Sequence, residues 1–483
     1  MQDFNYYFKK NGEYGDVTEI KYPIVKAIGL PGAKLKEIVM FESGEIGQIH
    51  DLSEDSVRIL LFSPVAVKIG TRVSRTDSQL KIPARNDFFG KVLNPFCSTG
   101  SNSAEDASLP VDVSPLNINE RLKITTPLIT GTAVVDILLP LGLGQRELIL
   151  GDRKTGKSTF VLSTIKNQIE NGSVAIYAAI GNKNSNIKAV EEFMNADELR
   201  RKNMIIVATS SFDSPGLIYL TPFTAMTLAE YFRDQGRNVL VIMDDLLTHA
   251  KFYREFSLLA EAFPGRDSYP GDIFHIHAKL LERSGNFKHP QKGEVSITCL
   301  PTAETQEADL TGYIISNLMS ITDGHLFFDN NVYAKGVRPA INTPLSVTRV
   351  GKQTQDRIMK DINRELSSLF SVYEKIENLS HFGSELSESV KNTLMLGEKI
   401  QFFFNQPDGM TLPREVYLVL FCLVWLNHIN TESEIEQTRT NLASFIQNDE
   451  NKQMLTDLLK ADSFNGLLRN VGEKKDVLLK QAN

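Results

Sequence analysis

Cysteine is scarce. Cys97, Cys299 and Cys422 are the only three in 483 residues, they stand far apart, and no two form a CxxC pair. That excludes a disulfide framework and fits a reduced, intracellular protein with isolated thiols. Long apolar runs are missing too. The longest, residues 416–426, is about half of the ~20 residues that a bilayer span needs, and it reads as a buried helix. The first ten residues lack the apolar stretch of a secretory signal. There is no basic domain: 52 Lys and Arg face 59 Asp and Glu, a net charge of −7, which argues against a dedicated nucleic-acid surface. No short-period repeat and no strong low-complexity tract interrupts the sequence.

What is present is ordinary for a soluble globular protein, with 42% hydrophobic and 23% charged residues. The length exceeds that of a typical single domain. From about residue 19 to 75, short alternating segments such as Ile24-Val25-Lys26-Ala27-Ile28 are separated by turn signals such as Pro31-Gly32 and Ser43-Gly44. This spacing predicts a small β-barrel or sandwich over residues 1–92. Residues 96–115, rich in Ser, Asn, Asp and Pro, read as a linker or surface loop, placed between domains at 93–120.

The next domain is placed at residues 121–352, and within it strand and helix signals alternate from about residue 146 to 350. Strands are predicted at 147–150, 174–180, 204–209, 239–243, 295–300 and 324–328, and helices at 158–170 and 222–235. That pattern calls for a mostly parallel sheet covered on both faces. From about residue 353 to 483 the strand signals stop and apolar residues recur at helical spacing, which predicts a helical domain.

Gly151-Asp152-Arg153-Lys154-Thr155-Gly156-Lys157-Ser158 fits the phosphate-binding loop GxxxxGK[ST], followed by Thr159. The context agrees with the pattern, because an apolar strand, Leu148-Ile149-Leu150, enters the loop and a helix leaves it. Glycines let the backbone curl its N–H groups inward toward phosphate oxygens, and the new helix adds its positive end. Lys157 is expected to reach the outer phosphates of ATP or ADP, and the Ser158 hydroxyl to ligate Mg²⁺. A second apolar strand ends in Asp244, the expected second Mg²⁺ contributor, through water. The bland reading of Asp244-Asp245 is a helix N-cap or a solvated turn.

At this point a family is recognisable. Gly-Asp-Arg-x-Thr-Gly-Lys resembles the P-loop of the α subunit of F1-type rotary ATP synthases. The resemblance continues through Glu230-Tyr231-Phe232-Arg233-Asp234, Met243-Asp244-Asp245-Leu246, Pro264-Gly265-Arg266-Asp267 and Leu280-Leu281-Glu282-Arg283. It goes on through Ile321-Thr322-Asp323-Gly324, Gly336-Val337-Arg338-Pro339 and Leu345-Ser346-Val347-Thr348-Arg349-Val350-Gly351, and reaches Phe382-Gly383-Ser384-Glu385-Leu386. The match is strong over about 120–400 and weak, though order-preserving, before it. It implies three domains: a β-barrel crown, a P-loop α/β domain and a helical domain. It also implies an alternating α3β3 ring with a catalytic β-like P-loop subunit, around a γ-like shaft at the cytoplasmic face of the membrane, with membrane or cytoskeletal partners reached indirectly.

In such a ring the α subunit binds nucleotide without turning it over. The catalytic subunits carry a Glu just after the strand that follows the P-loop helix; here that segment is Ala179-Ile180-Gly181-Asn182-Lys183. Asn182 cannot accept a proton, so this site is expected to be non-catalytic. Glu191, Glu192 and Asp245 are badly spaced to replace the missing acid. Arg349 resembles the arginine finger given in trans to the neighbour's catalytic site, with Ser346 in the same loop.

Three departures stand out. Lys154 replaces the usual Gln. The Gln-x-Gln near the base corresponds loosely to Asn405-Gln406, with Arg338 and Pro339 retained as base-site candidates. The N-terminal segment is short. These point to a divergent relative, similar to the F1-like ATPases of some wall-less bacteria, a few of them tied to gliding; a standard synthase subunit stays open beside it. The competing class is a self-sufficient homohexameric motor of the secretion or RNA-translocase type, which needs a carboxylate at 182. A scaffold without nucleotide would have no use for Lys157, Ser158 and Asp244 together. His275 and His277 read as packing residues, and Trp425 as helix core.

Overall fold

The structure is a computed structural model that describes residues 2–65, 67–98, 107–380 and 388–480. The segment 382–386 that carries the resemblance into the helical region lies outside these residues, as does part of the predicted linker.

The protein forms two compact units. One comprises Met1–Lys123, Gly144–Leu150 and Ile169–Asp323; the other comprises Ile124–Leu143, Gly151–Gln168 and Gly324–Asn483.

The first unit opens with a closed barrel of six strands: β1 (Gly15–Lys21), β2 (Ile24–Ile28), β3 (Glu37–Phe41), β4 (Ile46–Leu52), β5 (Val57–Leu61) and β6 (Arg72–Gln79). They run in the order β1-β2-β5-β4-β3-β6, and every neighbouring pair is antiparallel. Alternation builds it: Val17, Val25, Ala27, Val39, Phe41, Ile49, Ile59, Leu61 and Val73 point inward and are buried together. Fully burying each such aliphatic group stabilises the barrel by about 1.5–3 kcal/mol, and closure leaves no exposed strand edge.

The same unit holds the sheet. β7 (Val92–Leu93), β8 (Glu147–Gly151), β9 (Val174–Asn182), β10 (Met204–Ser210), β11 (Val239–Asp244), β12 (Gly285–His289) and β13 (Gly293–Glu304) supply it. Its order is β8-β13-β11-β9-β10-β7, and the pairs from β13 to β7 are parallel, with β12 antiparallel on β13. The strand run Val239-Leu240-Val241-Ile242-Met243 is buried on both faces, as parallel sheets covered by helices require.

The helix predicted at 222–235 begins earlier, at Pro215, and runs to Asp234 with Pro222 inside it. Its true start carries an N-cap, Ser214, whose Oγ accepts the Leu217 N–H at 3.2 Å, and a proline at N1. That same hydroxyl donates to the Phe62 carbonyl at 2.8 Å, fastening the helix to the barrel's last turn.

In the second unit, β14 (Gly324–Phe328) pairs antiparallel with β15 (Val347–Thr348). The P-loop leads into the helix Lys157–Glu170. Beyond residue 356 the regular elements among the described residues are all helices, joined by short turns. The apolar run seen in the sequence becomes the helix Arg414–Trp425, buried at every position from Val416 to Val424. Trp425 is half-buried and packs with Phe421 and Phe464 at ring separations of 5.5 and 5.7 Å. The architecture is an N-terminal β-barrel, a central α/β nucleotide-binding fold and a C-terminal helical domain.

Candidate nucleotide site

The acid at the end of β11 is held by three donors. Tyr177 Oη donates to Asp244 Oδ2 at 2.7 Å, Asn182 Nδ2 to the same oxygen at 2.9 Å, and Thr302 Oγ1 to Oδ1 at 2.8 Å. The parallel registers Ala179↔Asp244 and Met243↔Pro301 bring these side chains to one carboxyl edge. Burial beside Asp244 keeps the Tyr177 phenol protonated well above its usual range. Asp245 does something else. It caps the helix Leu246–Leu259, accepting the Thr248 N–H, and burial next to Asp244 lifts its carboxyl to about 6. The N-cap role therefore belongs to Asp245 alone. Asn182 gives its amide N–H₂ to Asp244 and accepts from Asn186 Nδ2 at 3.2 Å, so its side chain is held as a neutral hydrogen-bonding group. Glu191 and Glu192 sit on the following helix, Asn184–Asn195.

In the second unit the P-loop has the backbone that its glycines allow. Gly151 sits at φ +147°, where a Cβ would meet the Phe328 carbonyl at 2.3 Å, and Gly156 sits at φ +96° with open space where its Cβ would be. The loop thus presents bare backbone, the shape that phosphate requires. Lys157 Nζ lies 2.6 Å from the carbonyl oxygens of both Gly151 and Asp152. Thr155 Oγ1 donates to the Asp152 carbonyl at 2.8 Å, which closes the turn. Ser158 is exposed at the start of the helix. Arg153 and Lys154 are exposed, with Lys154 at φ +62°.

Beside the loop lies a narrow cleft lined by Thr155 and Gly156 of the P-loop, by Thr159 and Phe160 of the helix that follows, by Thr132, by Arg338 and Pro339, and by Gln406 through Met410. Its walls mix polar groups with the apolar side chains of Phe160, Pro339, Pro407 and Met410. Gln406 is buried: Nε2 donates to the Gly131 carbonyl at 2.8 Å, and Oε1 accepts the Ala133 N–H at 3.2 Å. Asn405 Oδ1 accepts the Arg338 N–H at 2.8 Å. The Arg338 guanidinium stacks 3.4 Å over the Tyr333 ring and donates to the Tyr333 and Val337 carbonyls. Asn405 and Gln406 therefore frame the cleft by holding backbone. Under it, buried Asp136 accepts the Thr130 N–H at 2.9 Å, the Thr130 hydroxyl at 2.7 Å and the Gly131 N–H at 3.0 Å. Burial still outweighs these bonds and lifts its carboxyl to about 7.

Arg349 follows β15 and is exposed, while Ser346 and Thr348 are buried. Ser346 Oγ accepts the Phe327 N–H at 2.9 Å and donates to the Asn342 carbonyl at 2.7 Å. Gly351 packs so closely on the Pro140 carbonyl that a Cβ would lie 1.6 Å from it.

The nucleotide-binding domain of the ATP synthase alpha/beta family matches residues 131–348, and the C-terminal domain of the same family matches residues 355–470. The chain belongs to the ATP synthase alpha/beta family. Its relatives include the ATP synthase subunit alpha of Neorickettsia sennetsu, 37% identical over 84% of this chain and 82% of the relative. The subunit of the same name from Mycoplasma genitalium is 37% identical over 83% of this chain and 79% of its own length. That of Helicobacter acinonychis is 38% identical over 84% and 82%. Within the ATP synthase alpha/beta family this chain resembles alpha subunits, as the motif reading expects.

Around the Asp244 carboxylate in the first unit and around the cleft in the second, several residues carry no motif. Tyr177 and Thr302 hold Asp244, and Thr132, Phe160 and Asp408 line the cleft. Thr302 lies within β13, two residues before its end and beside the strand that ends in Asp244; all of these residues meet only through the fold. His277, read as a packing residue, is buried with its Nε2 3.0 Å from His249 Nδ1. Among the described residues no helix is long and apolar enough to cross a membrane.

Proposed function

We propose that this chain is the non-catalytic, nucleotide-binding α-like subunit of a hexameric F1-type rotary ATPase, and that Arg349 is its arginine finger, given in trans to a β-like neighbour. The observation that carries the reading is Asn182. Where hydrolysis needs a carboxylate beside the attacking water, the protein has a neutral amide whose N–H₂ is already donated to Asp244. Asp245, an alternative acid, accepts the Thr248 N–H as the cap of its helix. A self-sufficient homohexameric motor lacks its base under this arrangement.

The P-loop backbone and Lys157 would hold the phosphates of ATP or ADP, and the cleft framed by Arg338, Pro339 and Gln406 would take the base. Ser158 and Asp244 are the protein's contributions to Mg²⁺, which neutralises phosphate charge when bound. The exposure of Arg349 on a loop whose flanks are buried suits a side chain that reaches another subunit. The proposed partners are the β-like subunit in an alternating ring and a γ-like shaft, peripheral to the cytoplasmic face of the membrane.

Native mass spectrometry of the tagged protein, drawn gently from its source cells, tests this. Three copies of this subunit, three of a second P-loop subunit and retained nucleotide are expected. The remaining subunits then identify the load, an ion-translocating synthase or a dedicated motor such as one for gliding. A homohexamer that hydrolyses ATP alone would overturn the assignment.

A further inference from the structure

We propose that Asp152, Asn330, Asp329 and Asn342 form a hydrogen-bonded brace that positions Arg349, so that the P-loop anchors the finger loop of the same subunit. The proposal rests on the finger reading of Arg349 and adds the residues that hold it in place.

The links are short and continuous. Asp152, buried in the P-loop, accepts from Asn330 Nδ2 at 2.7 Å through Oδ2, across 178 residues of sequence. Asn330 opens the short helix Asn330–Ala334, which Asp329 caps by accepting the Asn331 N–H at 2.8 Å. The other carboxylate oxygen of Asp329 accepts from Asn342 Nδ2, also at 2.8 Å. Asn342 then grips the finger loop twice: Oδ1 accepts the Leu345 N–H at 3.1 Å, and its carbonyl accepts the Ser346 hydroxyl at 2.7 Å. On the far side of Arg349, Thr348 Oγ1 donates to the Pro140 carbonyl at 2.9 Å and accepts the Gly351 N–H at 3.2 Å. The loop is thereby tied before and after Arg349, which is itself exposed.

The residue types fit this task. Hydrogen bonds to a carboxylate are stronger than neutral ones, and the two carboxylates here each receive an asparagine N–H. Asparagine alone among residues of this size offers both a donor pair for the acid and an acceptor for the loop. A finger works through the position of one charge, and a displacement of about 1 Å costs on the order of 10²-fold in rate. The Asn330 backbone lies at an exposed position, so removing its side chain opens no core.

The test uses the full-length subunit assembled with its catalytic partner. Asn330→Ala and Asn342→Ala are each expected to lower kcat on the order of 10-fold with KM nearly unchanged. Combined with Arg349→Ala, neither is expected to lower kcat further, because no finger remains to be positioned. Asn342→Asp keeps the shape but sets a second carboxylate against Asp329, and it is expected to behave like the alanine variant. Single variants with wild-type kcat would overturn the brace. So would double variants whose losses multiply, or an Asn342→Asp variant with full activity, which would leave only a packing role. Wild-type kcat in Arg349→Ala alone would instead remove the finger reading, and the brace with it.

Discussion

Gln406 holds two stretches of backbone with one amide. Its side chain satisfies the Gly131 carbonyl and the Ala133 N–H, both buried beside the cleft. Gln406→Ala takes the side-chain partner from the Ala133 N–H, while the Gly131 carbonyl keeps the Leu412 N–H at 2.9 Å; the change is expected to cost about 1–3 kcal/mol in stability and to weaken nucleotide retention in a filter or fluorescence binding assay. Asp136 gives a pH dependence of defined sign. Its folded carboxyl is lifted from 3.8 to about 7 by burial, so the folded state holds the proton more tightly than the unfolded one. The stability it contributes is full below about pH 4 and is lost as pH rises through about 7. Denaturant titrations from pH 4 to 8 are expected to show that component in the wild type and not in Asp136→Asn. An identical pH profile in the two would assign the dependence elsewhere. The buried His249 works in the other direction: burial lowers its imidazole from 6.5 to about 4. Its stabilising effect is present above about pH 6.5 and fades as pH falls toward 4.

At the scale of elements, the Pro215–Asp234 helix depends on Ser214. Ser214→Ala removes the cap and the donor to Phe62, and is expected to cost about 1 kcal/mol, read as a shift in denaturant midpoint. Leu420 in the helix Arg414–Trp425 is fully buried, and Leu420→Ala is expected to cost about 2–5 kcal/mol. These elements also show what was legible. Residues 239–243 and 416–426 read correctly because an unbroken apolar run has few places to go but the interior, and the barrel because alternation at period two leaves one face to bury. The early start of the Pro215 helix was hidden by Pro222, which imitates a start signal and lies within the helix instead. The P-loop announced itself by spacing. The brace did not, because Asp152 and Asn330 meet only once the fold has joined segments 178 residues apart. The side chains of Asn405 and Gln406 were expected near a base; the fold gives them to backbone groups that shape the cleft.

For the whole molecule, the function we propose is that of a subunit that completes a neighbour's chemistry rather than running its own. A neutral amide occupies position 182, and Arg349 is exposed. Restoring a carboxylate alone, by Asn182→Glu, places a second acid beside Asp244 and disturbs its three-donor cage; steady-state assays of the isolated subunit are expected to show no gain in turnover. The most direct test of the central claim is the turnover of the assembled complex carrying Arg349→Ala, measured with nucleotide retention by this subunit in the same preparation. The account predicts a fall in turnover on the order of 10³-fold with retention preserved. Near-normal turnover in a fully assembled variant would contradict it.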